Sequence, residues 1–143
     1  MEIGIAFPKI MPAGKGDRIV EWALRADSGP FASLAQIDRL VYGNHDVLIA
    51  MAAAAAVTEK VRLMTTVLIA PLRSAAVIAK QAASIDSISG GRFVLGLGVG
   101  SRPDDFAASG AEMRGRGRAF ETTGPVFPRQ PRSPRKFPKP EEG

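Results

Sequence analysis

The single histidine of the chain, His45, sits in the run Tyr42-Gly43-Asn44-His45, directly ahead of Asp46. Histidine exchanges protons near neutral pH, so His45 is a candidate acid or base; next to a helix-capping aspartate it reads equally as a structural or solvent-facing loop residue. Gly96-Leu97-Gly98-Val99-Gly100-Ser101 has the look of a dinucleotide-cradling loop. The third glycine of that fingerprint falls on Ser101, however, and Pro103 with Asp104 and Asp105 stands where a helix should open. Arg114, Arg116 and Arg118 can offer guanidinium groups to a phosphate, or simply begin a solvated helix. Histidines and carboxylates show no metal-ligand spacing, and no G-x-S-x-G nucleophile elbow is present. The absence of cysteine removes disulfides, thiolate metal sites and cysteine nucleophiles together, which suits a reducing cytoplasm.

The elements that must position these residues follow from periodicity. Ile3 to Phe7 alternates as a strand, and Pro8 and Pro12 interrupt it. Asp17 caps a helix carrying Ile19, Val20, Ala23 and Leu24, which Ser28-Gly29-Pro30 ends. Phe31 to Ile37 reads as a second strand, and Asp46 caps an alanine-rich helix to about Thr58. Val61 to Ala70 is a strongly apolar strand closed by Pro71. Ser74 opens a helix with Ala75, Ile78, Ala82, Ile85 and Ile88 on one stripe, and Gly90-Gly91 stops it. Phe93 to Val99 is a fourth strand. The β-α-β-α-β-α-β order predicts an α/β fold of parallel strands joined by right-handed crossovers. Periodicity alone leaves an open doubly wound sheet and part of a barrel both open.

Charge and proline divide the chain. Residues 122–143 hold five Arg or Lys against two Glu, +3 of the net charge of +5, so the body is nearly neutral and nucleic acid is not an expected partner. Pro125, Pro128, Pro131 and Pro134 recur at every third position, which predicts polyproline II or disorder. The expected division is therefore a folded unit over 1–121 and a Pro/Arg-rich disordered tail over 122–143. The apolar run Val47 to Val57 is too short to span a bilayer, and the N-terminus lacks a secretory pattern.

Three runs, IDRLVYGNHD, RLMTTVLIAPLR and AKQAASIDSISGGRFVLGLGVG, with SRPDDFAASG and RGRAFE after them, resemble the luciferase-like monooxygenase family. These are flavin- or coenzyme F-420-dependent oxidoreductases. The resemblance covers residues 1–121 in consistent order and implies a partial (β/α)8 TIM barrel of about four βα units with parallel strands. A complete barrel needs about 250 residues, and after Phe120 the chain continues as ETTGPVFPRQPRSPRKFPKP, which reads as a truncated barrel. The implied cofactor is FMN or coenzyme F-420, and the implied substrate a small organic molecule.

Chemistry in such a barrel lies at the C-terminal strand ends, here Phe7-Pro8, Asp38-Arg39, Thr66 to Ala70 and Gly98 to Gly100. The resemblance makes Asp38 a cofactor contact; as a loop residue it would instead pair with Arg39. It places Thr66 and Val67 at a strand bulge behind the cofactor ring, often formed through a non-prolyl cis peptide. Gly98 and Gly100 would allow close approach of a cofactor or of backbone. The alternative is a non-catalytic half-barrel remnant or assembly module. Its first and fourth strands would be unpaired edges, which two copies could close as a homodimer.

Overall fold

The computed structural model describes residues 1–8 and 17–123. Within these, β1 (Gly4–Ala6), α1 (Asp17–Ser28), β2 (Ser33–Gln36), α2 (Val47–Val57) and β3 (Arg62–Thr65) alternate. Next come β4 (Leu68–Ile69), a 3-10 turn (Ala70–Leu72), α3 (Ala75–Ile88), β5 (Phe93–Val94), β6 (Leu97–Gly98), α4 (Pro103–Ser109) and α5 (Arg116–Thr123). The main sheet runs β1-β2-β3-β5 and a second pairs β4 with β6, every pairing being parallel.

Register explains where the core sits. Ile5, Leu34, Leu63 and Phe93 lie side by side across the four strands and pack against Ala23, Val47, Met51, Ile78 and Ile85 of the helices. Side chains alternate between faces along a strand, so the adjacent row, Ala6, Ala35, Met64 and Val94, points away from that core and is half-buried or exposed.

Two helix ends carry the local signals the sequence predicts. Asp46 Oδ1 accepts from the backbone N–H of Leu48 (2.9 Å) and Ile49 (3.2 Å), capping α2. Gly90, at φ 64°, lets α3 end with the Gly91 N–H donating back to the Asp86 carbonyl at 2.7 Å.

Four expectations change. The third and fourth predicted strands are each broken in two, and the two halves pair in separate sheets. Thr66 and Val67, whose peptide is cis, separate β3 from β4, and Leu95 and Gly96 separate β5 from β6. Thr65 Oγ1 bridges the break by donating to the Gly96 carbonyl (2.7 Å) and accepting from the Gly96 N–H (2.8 Å), while the Leu68 N–H donates to the same carbonyl. A helix does open directly after the glycine run: Pro103 at the first turn is pre-set for helical φ, and Asp104 and Asp105 suit its N-terminal dipole. Ile88 is 54% exposed rather than on the core stripe, since α3 ends there and Ile85 is its last buried residue. Finally, α5 runs through Thr122 and Thr123, the first two residues of the expected tail; the remainder of that tail, 124–143, lies outside the described residues.

Candidate functional site

Every C-terminal strand end opens onto one rim, and polar ties between loops build it. Asp38, two residues past β2, has a side chain only 2% exposed. Its Oδ2 accepts from the Ile69 N–H of β4 (2.9 Å) and from Arg73 Nη1 (2.5 Å), and its Oδ1 from Arg73 Nη2 (2.8 Å). Arg73 Nη2 also reaches Asp46 Oδ2 at 3.1 Å. The pairing of Asp38 with Arg39 expected for a loop aspartate is therefore replaced by a bidentate pair with Arg73. Burial works against the Arg73 cation, but the hydrogen bond and charge of Asp38, with Asp46 adding to them, outweigh it and raise its pKa.

Arg39 belongs to a second tie. Its Nε donates to Asp105 Oδ2 at 2.6 Å and its Nη2 to Asp104 Oδ2 at 2.9 Å, and its guanidinium lies 4.0 Å from the centre of the Tyr42 ring. Asp105, fully buried, also accepts from the backbone N–H of Leu40 (2.9 Å) and Val41 (3.3 Å). The β2–α2 loop is thus pinned at its start by Asp38, in its middle by Asp105 and at its end through Asp46. Leu40, Val41 and Tyr42 remain partly exposed upon it.

Between these ties lies the bulge. Thr66 is exposed, and Val67, although apolar, is 42% exposed. A Cβ added to Gly98 would stand 2.5 Å from Val67 Cγ2, so β6 passes under Val67 only because residue 98 lacks a side chain. Gly100 has φ 74°, and a Cβ there would meet Ile69 Cγ2 at 2.6 Å. The structure thus brings Thr66, Val67, Gly98, Gly100 and Asp38 together around β4 and β6, with Asp38 behind β4.

His45 is exposed on the same rim; its carbonyl accepts from Gln36 Nε2 at 3.0 Å. Of the three arginines, Arg116 is engaged, its Nε donating to the Gly100 carbonyl at 3.0 Å, whereas Arg114 and Arg118 are exposed. Sequence reading missed Arg73, Asp105 and Gln36. Only the Pro-Leu-Arg following the third strand gave a local signal, a cation at a strand exit, and its aspartate partners lie 35 and 27 positions earlier.

At the opposite end of the strands the polar groups hold the fold. Arg92 donates to the Val61 carbonyl (2.7 Å), the Thr58 carbonyl (2.5 Å) and Thr58 Oγ1 (2.9 Å), tying the end of α2 to β3 and β5. Asp27 accepts from the N–H groups of Glu59, Lys60 and Val61. Burial alone would raise the Asp27 carboxyl, but those three bonds and the charge of Arg92 prevail and hold it below its ordinary value.

The family model of the luciferase-like monooxygenases matches residues 3–123. A monooxygenase from Streptomyces bottropensis superposes with a TM-score of 0.78 at 29% identity, over 88% of this chain and 41% of that one. The FMN complex of the oxygenating constituent of 3,6-diketocamphane monooxygenase from Pseudomonas putida shares the fold, with a TM-score of 0.78 at 22% identity over 88% and 38% of the two chains. Coenzyme F-420-dependent tetrahydromethanopterin reductase from Methanopyrus kandleri gives 0.62 at 25% identity over 77% and 30%. Curated relatives matched at 34% identity over 76 residues are covered over 26% of their length. The parallel, unclosed sheet with its helices is therefore a part of the barrel these proteins share, and the chain belongs to the luciferase-like monooxygenase family.

Proposed function

We propose that this chain provides the cofactor-ring side of a flavin- or deazaflavin-dependent oxidoreductase site that acts on a small organic substrate. The Thr66–Val67 bulge carries the reading: an exposed valine raised on a strand end, with a backbone beneath it too close for any side chain at residue 98. An apolar surface of that kind suits one face of a flat ring, and both FMN and coenzyme F-420 present such a ring. When bound, reduced FMN supplies oxygen activation and monooxygenation, and coenzyme F-420 supplies hydride transfer. The protein's part is to bind, to orient and to exclude water.

In this reading Val67 backs the ring, Thr66 lies beside it, and Gly98 and Gly100 bring β6 close. Asp38 contributes by holding β4 through the Ile69 N–H. His45 is the candidate for proton exchange with substrate, being exposed on the rim. The named ligands of the FMN and coenzyme F-420 proteins support both cofactors alike. A cytoplasmic location completes the proposal and rests on the cysteine-free composition; no described helix is long and apolar enough to cross a membrane.

A second reading has its own observation. The row Ala6, Ala35, Met64 and Val94 leaves one face of a parallel sheet partly exposed, and such sheets are ordinarily covered on both faces. Two copies closing those faces would form a homodimeric, non-catalytic assembly module. Titration of the purified chain with FMN and with coenzyme F-420, followed by cofactor fluorescence with mass read by light scattering, separates the two. Saturable binding of either cofactor supports the oxidoreductase; a defined dimer that binds neither supports the module.

A further inference from the structure

We infer that Arg73 is a positioning residue of the rim, acting on the bulge through Asp38 and β4; the inference rests on the oxidoreductase reading of that site. Arg73 follows the 3-10 turn that leaves β4 and is 15% exposed at its side chain. Its guanidinium meets the two carboxylates at opposite ends of the β2–α2 loop, Asp38 with both Nη atoms and Asp46 with Nη2. Asp38 spends its remaining capacity on the Ile69 N–H, inside the strand that starts one residue after Val67. Asp46 spends its other oxygen on the N-terminus of α2. One cation therefore sets the distance between the β2 exit, the α2 start and β4.

The geometry selects arginine over lysine. A planar fork can place two parallel N–H bonds on Asp38 and still direct a third toward Asp46; an ammonium is a point charge and cannot hold both oxygens of Asp38 in one plane. Without the fork, Asp38 keeps only Ile69, and β4 is free to shift relative to β2. A shift there moves Val67 against Gly98, where there is no slack. Misplacement of about 1 Å from outside the reacting atoms can lower a reaction rate on the order of 100-fold, and a residue that does not touch a ligand can still weaken its binding several-fold.

The test compares wild type, Arg73→Gln, Arg73→Lys and, as control, Arg92→Lys at the far end of the strands. Each is titrated with FMN and with coenzyme F-420 at a temperature where thermal unfolding shows it folded, and backbone amide exchange is followed from Thr66 to Ile69. Expected is about tenfold weaker cofactor binding for Arg73→Gln, an intermediate loss for Arg73→Lys, and none for Arg92→Lys. Faster exchange at Ile69 and Leu68 should appear only in the Arg73 variants. Should Arg73→Gln fail to fold, Arg73→Lys is read in the same way. A folded Arg73 variant with wild-type binding and wild-type exchange overturns the inference. If wild type binds neither cofactor, the oxidoreductase reading fails by itself. Exchange then decides: acceleration confined to 66–69 in the Arg73 variants upholds the clasp, and its absence removes it.

Discussion

The contact between Gly98 and Val67 can be tested by adding one methyl group and then taking others away. In Gly98→Ala the new Cβ would lie 2.5 Å from Val67 Cγ2, whereas carbon atoms rest about 3.5–4.0 Å apart. Roughly 1 Å of movement is therefore forced on a β-branched side chain with few alternative rotamers. Overpacking of this kind costs about 1–3 kcal/mol. Restricting the unfolded chain returns about 0.4–1 kcal/mol, because residue 98 does not have the left-handed backbone that would strain alanine. The net expectation is a loss of about 1–2 kcal/mol. Val67→Ala alone, at a site 42% exposed, should cost no more than about 0.5–1 kcal/mol. With Val67 shortened, the nearest remaining atom is its Cβ at 3.5 Å, an ordinary contact. Gly98→Ala should then cost nothing or stabilise slightly, so the double-mutant cycle should return a coupling of about 1–3 kcal/mol. Urea unfolding of the four proteins measures it. Additive costs would refute the claim that residue 98 is glycine because Val67 lies over it.

Replacing Asp105 by Ala should destabilise by about 3–5 kcal/mol, since it leaves a largely buried Arg39 with Asp104 alone and strands the N–H groups of Leu40 and Val41; a urea midpoint within error of wild type would contradict this. Thr65→Val removes both bonds to Gly96 and should cost about 1–3 kcal/mol, with faster amide exchange at Gly96 as its local mark. The Asp27 carboxyl is depressed in the native state, so its stabilisation is complete above the unfolded value of about 3.9 and is lost as pH falls through the native one. Asp27→Asn should accordingly be less stable than wild type at neutral pH, and the gap should close on acidification. A gap that stays constant down to the acid transition would show that the carboxylate's charge is not what the loop uses.

Much of the frame was readable because its signals are local. The Asp46 cap and the Gly90-Gly91 stop each state their structure within a few residues. The rim was readable only in outline, since its geometry depends on pairings across more than thirty positions. Asp38 finds Arg73 rather than its neighbour Arg39, and Arg39 finds Asp105, because burial rewards the partner whose fork fits, not the one adjacent in sequence. The breaks in the third and fourth strands were likewise hidden. A run as apolar as VRLMTTVLIA gives the same period-free signal whether or not its ladder changes partner midway.

Arg92 and Asp27 tie the chain at the end of the strands away from the rim, using backbone carbonyls and N–H groups as their main partners. Backbone partners survive almost any substitution of the residues that carry them. Evolution can therefore rewrite loops such as 38–46 or 99–102 for a new substrate without loosening this anchorage, and a drifting lineage can lose its chemistry while the scaffold still folds.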